Sequence, residues 1–176
     1  MTKKVLFIIM PRDFQDEEFI IPYEKIIASG YSVEVAGLTQ TAAVGSHGYT
    51  IAPDLLLEDI TQADIQDYDA LIIPGGAGSV DYLWNNVKVQ NIIHLFHHAH
   101  KMVATICYAC ITSAQAGILT GKKATVYPTN ETKKIFKHHG VTYQNAGCVV
   151  LENGKIITAQ GPHYADQFAE QIIKHL

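Results

Sequence analysis

The sequence predicts an α/β fold in which a mostly parallel sheet is covered by helices. Three observations point there. Short apolar runs alternate with amphipathic stretches, one run ends in a glycine cluster, and another passes directly through a cysteine into a helical pattern. The last of these is the geometry of a nucleophile elbow.

The apolar run Val5 to Met10 is the first strand; Pro11, Arg12 and Asp13 end it. A helix follows, with Phe19, Tyr23, Ile26 and Ile27 at helical spacing. Pro22 is expected near its first turns and Gly30 as its C-terminal stop. Tyr31 to Gly37 reads as a strand, and so does DALIIPGGAG, Asp69 to Gly78, whose glycines fall where a parallel strand reaches its carboxyl edge. Ligands of open α/β sheets bind outside that edge. Val87 to Lys101 is a helix and Met102 to Ile106 a strand, after which Cys107 opens another helix. Thr125 to Tyr127 is expected as a strand, followed by a helix around Thr132 to His139. VVLENGKIITAQ is a hairpin turning at Asn153-Gly154, and a final helix starts at His163. No linker or repeat interrupts this pattern, so residues 1–176 are expected to form one domain.

With 48% hydrophobic and 17% charged residues, the 176-residue chain is composed to bury a core without staples. Its formal net charge of -4 carries no basic footprint, so nucleic acid is not an expected partner. The N-terminal apolar run is too short for a signal peptide, and no segment approaches a membrane span. A cytoplasmic protein is expected. Three cysteines, an odd number, argue against a secreted disulfide framework.

Cys107 is the leading reactive residue. At the mouth of a helix its sulfur is expected to face backbone N–H groups and the positive end of the helix dipole, which lowers a thiol pKa. A buried, inert cysteine is the bland alternative. Glu18, just after the first strand, can reach a thiol at the carboxyl end of a neighbouring strand. Gly75 and Gly76 offer backbone N–H groups to an oxyanion. Cys107-Tyr-Ala-Cys110 also has the C-x-x-C spacing of dithiol oxidoreductases, which makes Cys110 a possible redox partner, although it more often packs one turn below the elbow. Cys148 is expected in the core. His94 and His98 have zinc-clamp spacing but no evident third ligand, so no metal or other cofactor is predicted.

Glu18 four residues before Pro22, PGG at 74 to 76, ATIC at 104 to 107 and QGP at 160 to 162 occur in order along the chain. In this the sequence resembles the ThiJ/PfpI family over essentially its whole length. The resemblance implies a flavodoxin-like three-layer sandwich, assembled as a homodimer or larger oligomer. It further implies that Cys107 is the reactive cysteine, Glu18 the acid that hydrogen-bonds it, and Gly75 with Gly76 the oxyanion-side backbone. A carboxylate beside a thiolate should titrate as a coupled pair, with protonated Glu18 donating to the sulfur.

Two departures qualify that expectation. Members resembling intracellular protease I carry His directly after the cysteine, where this chain has Tyr108. Members resembling the parkinsonism-associated deglycase place a His where this chain has Tyr127. A Cys-His peptidase would lose its general base here. His47, where some relatives hold a basic residue, and His163, after Gly161-Pro162, are the histidines the resemblance places near the pocket. The resemblance therefore favours glyoxalase- or deglycase-like chemistry on a small electrophilic carbonyl. A non-enzymatic oxidation sensor or chaperone, with an oxidant as its partner, is the first alternative, and a cysteine peptidase or amidase the second.

Overall fold

The computed structural model describes residues 2–176. Strand β1 (Lys4–Ile9) leads through the short β2 (Arg12–Phe14) into α1 (Asp16–Ala28). Then come β3 (Ser32–Gly37), β4 (Ala43–Gly45), β5 (Thr50–Ile51), β6 (Leu55–Leu56), β7 (Ala70–Ile73), α2 (Ser79–Tyr82), α3 (Val87–His98) and β8 (Met102–Ile106). The chain closes with α4 (Cys110–Gln115), β9 (Lys123–Ala124), α5 (Asn130–His138), β10 (Thr142–Tyr143), β11 (Cys148–Leu151), β12 (Ile156–Ala159) and α6 (Ala165–His175).

Seven strands form the main sheet in the order β11-β12-β8-β7-β1-β3-β6, parallel except at β11. This is a flavodoxin-like α/β arrangement. Strands β7 and β8 are buried at every residue, and β1 at every residue but its first. That fits parallel strands covered on both faces and explains why their sequences read as unbroken apolar runs. From β1 the chain moves one way to β3, whereas from β7 it moves the other way to β8. Right-handed crossovers therefore put α1 and α3 on opposite faces. Helix α6 packs beside α1, and α4 beside α3. The order reverses between β1 and β7, so their carboxyl ends flank the crevice in which such sheets bind ligands.

Helix α1 ends as its sequence predicts. Gly30 has φ 86°, its N–H donates to the Ile27 carbonyl, and the Tyr31 N–H donates to the Ile26 carbonyl, the paired bonds of a Schellman motif. Pro22, expected near the first turns, lies further inside the helix. Its missing N–H leaves the Glu18 carbonyl without the usual helical donor.

Three local expectations are corrected. Thr125 to Tyr127 is not a strand: the ladder stops at Ala124, and the Thr125 N–H donates to Thr158 Oγ1 instead. The hairpin does not turn on Asn153-Gly154 alone. Leu151 pairs with Ile156 across a four-residue loop in which Glu152, Asn153 and Gly154 all have positive φ. Cys148 lies on the edge strand β11 and is half-buried rather than in the core.

Candidate active site

Three segments converge at the switch point. After β1, the bend at 12–15 feeds α1 and places Glu18 in the helix's first turn. After β7, the glycine loop is stitched to that bend: the Gln15 N–H donates to the Gly75 carbonyl at 2.8 Å and the Gly78 N–H to the Asp13 carbonyl at 3.1 Å. After β8 comes Cys107. A Cβ at Gly75 would lie 2.6 Å from the Ile106 carbonyl oxygen, 2.7 Å from Cys107 Cβ and 2.9 Å from Glu18 Oε2. Only a residue without a side chain lets the three segments close to this degree.

Cys107 has φ 59°, an uncommon conformation for a non-glycine residue and the sharp turn of a nucleophile elbow. Ile106 before it is extended, and a single 3-10 turn, Cys107–Ala109, follows it. The side chain is 6% exposed. The N–H groups of Gly76 and Tyr108 face the sulfur. The structure differs here from the expected low thiol pKa, because burial, and next the neighbouring Glu18 charge, push the Cys107 thiol well up. The helix that was to lower it begins only at Cys110 and is six residues long, so its dipole is remote and weak.

Glu18 is fully buried. Its Oε2 accepts the Gly75 N–H at 2.8 Å, while Oε1 is buried without a hydrogen-bond partner of its own. Burial drives its pKa to about 8, with the Glu17 charge adding to the rise; the Gly75 N–H and the Cys107 thiol oppose it. The thiol thus eases the ionisation of Glu18, whereas the Glu18 charge raises the cost of ionising Cys107, and the two titrate as one pair. The two glycines have separate tasks: the Gly75 N–H is committed to Glu18, and the Gly76 N–H serves the sulfur.

Cys107 opens into a pocket of about 260 Å³ lined by Gln15, Gly76, Ala77, Tyr108, Tyr127 and Pro162. The Tyr108 and Tyr127 rings meet edge to face at 5.4 Å, so both tyrosines stand at the pocket where relatives were expected to place a histidine. No histidine lines this pocket. His163 is exposed and lines an adjoining cavity. His47 is exposed on the loop after β4, its Nδ1 3.5 Å from Glu17 and 4.0 Å from Asp16. Cys110 is fully buried; its thiol donates to the Thr105 carbonyl at 3.3 Å and the Ala159 carbonyl at 3.6 Å, and its pKa is pushed up to about 12. Its sulfur is bonded into the core on β8 and β12. His94 and His98 are exposed, and among the described residues no group of three or more His, Cys, Asp or Glu side chains converges on a metal position.

Sequence reasoning missed three contributors. Gln15 lines the pocket while its Nε2 donates to Glu17 at 2.6 Å. Buried Asp16 accepts the N–H groups of His47 at 2.9 Å and Tyr49 at 2.8 Å, tying the 45–49 loop to α1. Trp84 donates its indole N–H to the Tyr108 carbonyl at 2.9 Å and packs edge-on against that ring at 5.8 Å, bracing the elbow from outside. Only Trp84 carried a visible signal, as a lone tryptophan in a polar stretch.

Comparison with known proteins gives a consistent result. The model of the DJ-1/PfpI family matches residues 3–175. An uncharacterized protein of Methanocaldococcus jannaschii is 40% identical over 171 residues, covering 97% of this chain and 81% of that one. A deglycase of Pyrococcus horikoshii is 31% identical, covering 94% and 93%. Among solved structures, a ThiJ/PfpI domain protein from Brachyspira murdochii superposes with a TM-score of 0.89 at 26% identity, covering 99% of this chain and 96% of the other. Drosophila melanogaster DJ-1beta gives 0.86 at 29%, covering 100% and 91%.

Proposed function

The chain belongs to the DJ-1/PfpI family, and from that premise we propose that it is a cysteine-dependent enzyme acting on small 2-oxoaldehydes, of the glutathione-independent glyoxalase or deglycase type. The observation that carries the reading is the Cys107–Glu18 pair: a buried thiol beside a buried carboxyl whose pKa lies near 8 and whose Oε1 has no other partner. The deglycase from Pyrococcus horikoshii, at 31% identity, supports the same chemical class.

The sulfur adds to the aldehyde carbon, and the thiol proton passes to the developing alkoxide, giving a hemithioacetal. The N–H groups of Gly76 and Tyr108, which face the sulfur, favour its charged form ahead of this addition. Glu18 as carboxylate then takes the proton from the former aldehyde carbon, and as carboxylic acid returns one to the adjacent ketone carbon, while the hemithioacetal hydroxyl proton passes to the former ketone oxygen. The result is a thioester of a 2-hydroxy acid. Water cleaves the thioester, releasing the acid and restoring the thiol. No external oxidant or reductant enters.

Purified protein incubated with methylglyoxal in glutathione-free buffer should form lactate. Cys107→Ala should reduce this to background, and Glu18→Gln should cost about 10²- to 10⁴-fold. Lactate formation that survives Cys107→Ala would refute the reading.

A second reading, an oxidation sensor, draws on the same free Oε1. A protonated Glu18 can donate to a sulfinate at Cys107. Mass spectrometry after mild peroxide, showing a stable sulfinate in protein that makes no lactate, would favour it. A peptidase is less supported, because no histidine lines the Cys107 pocket. We further take the protein to act in the cytoplasm as a homodimer, which sedimentation of the purified chain would check.

A further inference from the structure

Beside the Cys107 pocket lies a second cavity of about 180 Å³ that shares two of its walls, Tyr127 and Pro162. Its lining includes His163 but no cysteine or carboxylate. Its other walls include Pro128, Gln160 and Tyr164.

The cavity's two tyrosine rings are seated by glycines. A Cβ at Gly147 would collide with the Tyr164 ring, and one at Gly161 would approach the Tyr127 ring to 3.1 Å. Each ring therefore lies against bare backbone, where any larger residue would push it away. Tyr127 is further fixed by its edge contact with Tyr108. The Gln160 carboxamide is fixed as well: its Nε2 donates to Tyr143 Oη at 3.0 Å and Asn145 Oδ1 at 3.2 Å, which leaves its oxygen as an acceptor. The result is a solvent-open, ring-walled slot beside the reactive pocket, with Tyr127 43% and Tyr164 37% exposed. An apolar cavity of about 150 Å³ is known to take up benzene, so this volume suits one aromatic ring. Flanking tyrosine edges and faces suit such a ring better than a methyl group.

We propose that the second cavity is a subsite for an aryl group, so that aromatic 2-oxoaldehydes are better substrates than methylglyoxal. This rests on the function proposed above and specifies its substrate class. With the aldehyde carbon at Cys107, the ring on the adjacent ketone carbon extends past Tyr127 into the slot. The chemistry balances as before: phenylglyoxal plus water gives mandelate.

The test compares kcat/KM for phenylglyoxal and methylglyoxal in wild type, Tyr164→Ala and Tyr164→Phe. Wild type should favour phenylglyoxal by about tenfold or more, a preference that Tyr164→Ala should largely abolish and Tyr164→Phe should retain. A wild-type ratio near one, or a ratio unchanged in Tyr164→Ala, would overturn the subsite. Should neither aldehyde be consumed, the proposed reaction fails, and binding of mandelate followed by NMR decides the subsite separately. Mandelate binding that weakens about tenfold in Tyr164→Ala upholds it; no binding, or equal binding to both proteins, rejects it.

Discussion

Two buried carboxyls stand two residues apart in the first turn of α1, and the protein treats them differently. Asp16 accepts two backbone N–H groups, one to each oxygen. Glu18, beside the reactive thiol, accepts one at Oε2, and its Oε1 is buried without a partner. A satisfied buried carboxylate is a fastener, here holding the 45–49 loop on α1. A half-satisfied one keeps its affinity for a proton and is available for chemistry. Both are buried, but Asp16 has two backbone donors and the His47 imidazole 4.0 Å away, whereas Glu18 has the single Gly75 N–H.

The largest expected effect that tests this contrast is on stability against pH. The folded-state pKa of Glu18 is raised from 4.5 to about 8, so the folded protein holds a proton that the unfolded chain has released across that window. Its contribution is fully present below about pH 4.5 and is lost as the pH rises towards 8. At about 1.4 kcal/mol per pKa unit, urea unfolding should show wild type losing several kcal/mol relative to Glu18→Gln between pH 5 and pH 8. A constant difference across that range would mean that Glu18 is ionised throughout.

Asp16→Ala should cost about 2 kcal/mol, because it leaves two part-buried backbone N–H groups without an acceptor. The loss should appear as faster amide exchange at His47 and Tyr49. If instead lactate formation collapses while stability holds, the division between fastener and chemical group is wrong.

A smaller effect locates the proton within the pair. Alkylation of Cys107 should quicken only well above pH 9, because the pair's first proton leaves Glu18 near pH 8, and burial beside that charge holds the thiol up. A rate that already rises through about pH 8 would put that first charge on the sulfur instead. Cys110→Ala should have the least effect, about 1 kcal/mol for two weak sulfur hydrogen bonds and a small cavity. It should leave peroxide oxidation of Cys107 unchanged, whereas a Cys107–Cys110 disulfide in the oxidised wild type would contradict the packing described.

How much of this was legible in the sequence follows from how local each signal is. Strands β1, β7 and β8 are apolar runs buried on both faces, and Met102–Ile106 carries the boundaries its sequence predicted. The elbow was legible because one residue ends the strand and begins the turn. Asp16 was not, since it sits among three other acids and its partners are about thirty residues away. The small sheet of β2, β4 and β5 was also invisible: its strands are two or three residues long, too short for an alternation to register. The expected low thiol pKa failed for a physical reason. Spacing reveals a helix mouth, but not how much water reaches the sulfur.

Trp84 is the chain's sole tryptophan, and its indole is bonded to the residue that follows the elbow. Native fluorescence is therefore a single-site optical signal from within one side chain of the Cys107 pocket. Oxidation of the sulfur, occupation of the pocket or loosening of the turn can be followed in real time in unlabelled protein, because the reporter is part of the brace.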